Sequence, residues 1–182
     1  MRATSSGCIA WRRAGAQQEA DVRDLEQLVS DLKSAPIPTC AWCARRHHGG
    51  PEHCMTGTLL VCGGRDYPDR DRVFRVLDKA ATRIEIRELR HGACGLDADD
   101  LWDSSKLRGA DRWAHEWATE RQVEIDPMAA AWRRHGSRAG PLRNQDMLAR
   151  GGVVCLIAFP GGRGTEDMVE MATRANIPVW RL

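Results

Sequence analysis

The spacing of apolar positions divides the chain into three zones. Across residues 17–34, Val22, Leu25, Val29 and Leu32 recur at intervals of three, four and three with charges between them, which predicts an amphipathic helix. Pro36 and Pro38 then end it. The stripe is too short for an independent coiled coil, so it is expected to dock on the main domain or on a second subunit, and a homo-oligomer is compatible with it. Residues 39–57 carry little apolar sequence and are rich in Cys, His and Gly. These two zones form an N-terminal extension, residues 1–57.

From residue 58 to 182 strand and helix signals alternate. Strands are predicted at 59–62, 84–89, 123–125, 153–159 and 178–180. Helical patterns lie between them at 69–81, 110–121, 142–150 and 166–176. In the first of these Val73, Val76, Leu77 and Ala80 share one face, and in the second Trp113, Ala114, Trp117 and Ala118 do. Such alternation implies right-handed crossovers and an α/β fold, Rossmann-like and doubly wound, with a mostly parallel five-stranded sheet. The most apolar strand, 153–159, is expected at the centre, because central strands are buried on both faces.

In a doubly wound sheet a ligand sits beyond the carboxyl ends of the strands, where the strand order reverses. An order of 3-2-1-4-5 would bring together the loops leaving strands one and four, and these are glycine-dense. Strand one runs into Gly63, Gly64, Arg65 and Asp66; strand four runs through Pro160 into Gly161, Gly162, Arg163, Gly164 and Thr165, with a helix next. Glycine lets amides approach a ligand closely, and a helix N-terminus adds unpaired N–H groups and a positive dipole end. Thr165 is placed to cap that helix or to give its hydroxyl to a phosphate. Tight strand-to-helix turns would account for either glycine pair alone.

The same segments carry a resemblance. VCGGRDYPDRDRV (61–73), HGACG (91–95), RGADRWAHEWA (108–118), AGPLRNQDML (139–148), FPGGRGTEDMVEMA (159–172) and IPVW (177–180) occur in that order. Residues 58–182 thereby resemble the YspA-type branch of the SLOG superfamily, the Rossmann-like group that includes the LOG cytokinin-activating enzymes and the DNA-processing protein DprA. The resemblance implies a nucleotide-derived ligand. LOG enzymes carry PGGxGTxxE, whose glutamate takes part in cleaving an N-glycosidic bond. Here Met168 stands at that position, and the nearby carboxylates Glu166 and Asp167 point elsewhere around the helix.

Glu166 and Asp167 suit the helix dipole but would repel a phosphate at the same terminus, so Arg65, Arg143 and Arg163 are candidates to offset them. Arg143 and Asn144 follow Gly140-Pro141 at a helix start and are expected near the pocket, Arg143 on a phosphate and Asn144 on a base or sugar. Asp66, His91, Gly92 and Asp111 complete the candidate ligand contacts. A plain loop histidine and a helix cap are the simpler readings of His91 and Asp111. Trp113 and Trp117 read as core, and Trp132, in a loop-like stretch, as the better stacking candidate.

Cys40-x2-Cys43 followed by His47, His48, His53 and Cys54 meets the ligand demand of tetrahedral zinc. A Cys₃His site of Cys40, Cys43, His48 and Cys54 is expected to order this segment, with free thiols and imidazoles as the alternative. Cys62 and Cys155 fall in apolar strands and read as core thiols.

Composition refines this only a little. Net charge is +2, which excludes a general polyanion binder. Of the 27 basic residues 24 are Arg, since only Lys33, Lys79 and Lys106 are Lys. Residues 1–57 hold seven basic and six acidic side chains, which disfavours nucleic-acid binding of the DprA kind. The longest apolar run, 153–160, is far below the ~20 residues that span a bilayer, and no apolar signal stretch follows Met1, so no membrane partner and a cytoplasmic location are expected. The expected function is binding or sensing of a phosphorylated, nucleotide-derived small molecule. A nucleotide N-glycosidase or phosphoribohydrolase using Glu166, Asp167 or Asp66 is the alternative.

Overall fold

The structure, a computed structural model, describes residues 56–182. The helix expected at 17–34 and the Cys40, Cys43, His48 and Cys54 segment lie outside the described residues. The elements follow in the order β1 (Thr56–Cys62), α1 (Arg70–Ala81), β2 (Glu85–His91), α2 (Gly109–Glu120), β3 (Glu124–Pro127), α3 (Trp132–His135), α4 (Ala139–Ala149), β4 (Val153–Ala158), α5 (Arg163–Arg174) and β5 (Val179–Arg181). Single 3₁₀ turns occur at Ser104–Lys106 and Gly136–Arg138. The five strands form one sheet in the order β3-β2-β1-β4-β5, and every neighbouring pair is parallel. The α/β, doubly wound reading of the sequence therefore holds, with a sheet that is wholly parallel.

Connections from β1 through β2 to β3 run one way along the sheet, and those from β3 through β4 to β5 run the other. Right-handed crossovers then put α1 and α2 on one face and α4 and α5 on the opposite one. The packing agrees: α1 lies against α2, and α4 against α5. Leu60, Met147, Leu156, Ala158, Met168, Val169 and Ala172 form the core on the α4–α5 side. By strand alternation Leu59 and Val61 face the other way, where Val73, Val76, Leu77, Ala114, Trp117 and Ala118 are buried. Each such large apolar side chain contributes about 1.5–3 kcal/mol by leaving water.

Strand order corrects one expectation. β4 is interior, flanked by β1 and β5, but the middle strand is β1, whose Thr58 to Val61 are all buried. The apolar run of β4 reflects coverage on both faces, which every interior strand of such a sheet receives. Element starts also shift. Asp69 caps α1 by accepting the Arg72 amide at 2.8 Å. Pro141 falls inside the first turn of α4, where its missing N–H costs nothing. The reversal of strand order lies between β1 and β4, so the loops leaving those two strands are neighbours. No helix among the described residues is long and apolar enough to cross a membrane.

Candidate functional site

The loops after β1 and β4 touch: the Gly64 amide donates to the Pro160 carbonyl at 2.9 Å. Past that bond, the amides of Gly161, Gly162, Arg163 and Gly164 donate to no described residue. They form the N-terminus of α5, where the first turn has no intrahelical acceptor, so a run of open N–H groups coincides with the positive dipole end. Arg65 and Asp66 on the facing loop likewise leave their amides open. The Arg65 and Arg163 side chains are exposed and have no ion-pair or hydrogen-bond partner among the described residues.

The helix begins at Arg163 with Gly162 as its cap residue, three positions before the expected start. Thr165 is therefore not the cap. It is buried in the first turn, and its Oγ1 fills the space a side chain at Gly161 would need. Gly162 itself is extended, and helical dihedrals begin directly after it.

A third element joins from below. The first turn of α2 abuts the β1 loop, with the Ala110 amide donating to Gly64 O at 3.2 Å. Gly109 makes this possible: its φ is +58°, and a Cβ there would lie 2.6 Å from the carbonyl carbon of Arg65. Gly109 was not among the residues singled out from sequence; its signal was the glycine directly before Ala110-Asp111 at a helix start.

The remaining candidates form the floor. Asp111 does not cap α2. The residue before that helix is Arg108, which makes no side-chain cap bond, while the Asp111 carboxylate turns inward and accepts the Cys94 amide at 3.0 Å. Burial pushes its pKa up to about 6, against the opposing pull of the Arg143 guanidinium and the Cys94 and Gly92 amides. Arg143 is not on a solvated face. Its guanidinium donates to the carbonyls of Gly92 and Met128 and to Asn144 Oδ1, and its tip lies where a Gly92 side chain would project, so a larger residue there would have to displace it. Asn144 is buried and donates to Gly164 O at 3.1 Å and to Asp167 at 2.9 Å, so it braces α5 instead of facing outward.

His91 is corrected in the same sense. It is fully buried; its Nδ1 accepts the Ala93 amide at 3.1 Å, so Nε2 carries the proton and donates to His115 Nδ1, also at 3.1 Å. Both ring nitrogens are used, leaving none for a ligand. Burial, with His115 and Arg143 adding to it, pushes its pKa down to about 3.

Of the carboxylates proposed for chemistry, Glu166 is exposed and bound to Arg181 at 2.6 Å, Asp167 accepts from Asn144, and Asp66 is exposed beside Arg108 at 3.4 Å. Cys62 and Cys94 lie near Asp111 and Arg143 as neutral thiols, burial pushing Cys62 up to about 12 and Cys94 in the same direction. Among the described residues no group of three His, Cys, Asp or Glu could hold a metal.

The chain is 37% identical over 128 residues to the Gene 61 protein of Mycobacterium phage D29, a match that covers 66% of this chain and 92% of that protein. The chain belongs to the family of that protein. No family model matches this Gene 61 relative, and no solved structure does so at a significant level.

Proposed function

We propose that this protein binds a phosphorylated, nucleotide-derived small molecule at the carboxyl edge of its sheet, with the anionic group on the open amides of Gly161 to Gly164. The observation that carries the reading is the pairing of that amide run with two guanidinium groups that have no partner among the described residues, Arg65 on the loop after β1 and Arg163 at the start of α5, the two loops being joined by the Gly64–Pro160 hydrogen bond. Oriented N–H groups at a helix start and arginine forks both recognise phosphate oxygens. The resemblance to the SLOG superfamily favours the same ligand class.

Titration calorimetry with AMP, GMP and NAD, together with mass spectrometry of small molecules that co-purify, tests it. Binding of at least one of these, weakened about tenfold by Arg163→Ala, is the expected outcome. No binding and no co-purifying phosphorylated molecule would remove the proposal. Turnover is the second reading, favoured by Glu166 on the first turn of α5 beside the same amides. Release of free base from these nucleotides, abolished by Glu166→Ala, would establish it.

A further inference from the structure

Asp111 is the buried carboxylate of the described residues, 5% exposed on the first turn of α2. Packing alone does not call for a charge there. Asparagine would fill nearly the same volume and keep an acceptor without the cost of taking an ionised group from water. We propose that Asp111 is the positioning residue of this site: its carboxylate holds the turn at 92–94 and, through Arg143 and Asn144, braces the first turn of α5 on which an anionic ligand would sit. The inference rests on the binding reading given above.

Four successive hydrogen-bonded links join Asp111 to the first turn of α5. Its Oδ2 accepts the Cys94 amide at 3.0 Å, and the Gly92 amide also stabilises its charge. Gly92 O in turn accepts the Arg143 guanidinium, whose Nε donates to Asn144 Oδ1 at 3.1 Å. Asn144 Nδ2 then donates to Gly164 O at 3.1 Å, on the first turn of α5. A carboxylate serves two amides at once and attracts Arg143, whereas a neutral amide side chain offers a single carbonyl oxygen and no charge. The groups that face it are Arg143 from α4, the Cys94 thiol on the turn and the Cys62 thiol at the end of β1. With both thiols neutral, Arg143 is the partner that responds when Asp111 changes charge.

Amide hydrogen exchange by NMR on the full chain, wild type against Asp111→Asn, tests this. After correction for intrinsic rates, protection of the Cys94 amide in wild type should fall as pH drops through about 6, the value to which burial raises Asp111. In Asp111→Asn it should be lower by about tenfold at neutral pH and independent of pH. Affinity for NAD, whose pyrophosphate does not titrate near neutrality, should follow the same profile in each protein. Identical Cys94 protection in both proteins overturns the proposal, and so does loss of protection with unchanged NAD affinity. If the amide profile is as expected but wild type binds neither NAD nor AMP, the nucleotide reading falls while the hold of Asp111 on the turn stands.

Discussion

Along one edge of the sheet, polar groups are treated in two ways. Beyond β2 and β3, acids and bases are matched: Arg133 pairs with Asp100, Arg134 with Asp99, and Asp97 accepts the Arg133 amide at 3.0 Å. Below them Arg90 and His91 are buried and their nitrogens bonded, His91 to the half-buried His115. Beyond β1 and β4, the amides of Gly161 to Gly164 and the side chains of Arg65 and Arg163 face solvent without a partner among the described residues. Arginine thus serves two ends in one chain. In the first region it joins loops; in the second it meets no described side chain, as the proposed anion site would require. Water satisfies the open donors at little cost, and an anion that displaces it gains oriented hydrogen bonds.

The comparison breaks most visibly at Arg90. It is 4% exposed, and donates to Asp126 at 2.7 Å, Glu88 at 2.9 Å, Met147 O at 2.7 Å and Gly151 O at 3.1 Å. Arg90→Met leaves two carboxylates and two carbonyls short of a donor, and the expected loss is about 3–5 kcal/mol in urea unfolding. A loss below about 1 kcal/mol would mean that the matched region does not hold the fold.

Gly109→Ala comes next. The positive φ and the approach to the β1 loop oppose any side chain, so about 1–3 kcal/mol should be lost. Here the open region is affected too, because α2 must retreat from Gly64. Weaker nucleotide binding is expected along with the lower unfolding midpoint, and binding at wild-type strength would separate α2 from the site.

How far this division was legible in the sequence depends on the range of the interaction. The β-α alternation and both glycine loops were readable because periodicity and turn chemistry are local, whereas the strand order entered only as the arrangement that a doubly wound sheet would take. Gly109 gave a local signal that was passed over. Arg90, by contrast, sits in a strand among other charges, and only the fold brings the Met147 and Gly151 carbonyls and Asp126 to it. Asp111, Arg143 and Asn144 were found as candidates but expected to face the ligand. Their inward direction follows from which helices meet beneath Gly92, a long-range fact that no spacing encodes.

Acid sharpens the contrast by setting His91 against Asp111. Burial takes His91 from 6.5 down to about 3, so its contribution is complete above 6.5 and is lost as pH falls toward 3. Between pH 7 and 5 the unfolded chain gains a proton there that the folded chain does not, which costs about 2 kcal/mol. Asp111 is raised from 3.8 to about 6, so over the same interval the folded chain gains the proton and stability rises by about 1 kcal/mol. Wild type should therefore lose less than Asp111→Asn, by about 1 kcal/mol in denaturant unfolding at the two pH values. Equal losses would show that Asp111 titrates as an ordinary carboxyl.

The smallest effect is expected where pairing is most conspicuous. Arg134 and Asp99 meet through two hydrogen bonds, yet the Arg134 side chain is 60% exposed, and water and salt screen the pair. Arg134→Ala should leave the unfolding midpoint almost unchanged, still more so in high salt, and leave nucleotide affinity alone. Arg163→Ala, with no partner to lose among the described residues, should be as mild in unfolding but weaken nucleotide binding about tenfold. Two arginine variants of equal stability and unequal affinity would give the comparison its sharpest form. Equal affinity would reduce it to a difference in surface decoration, because the open guanidinium would then be doing nothing the clasped one does not.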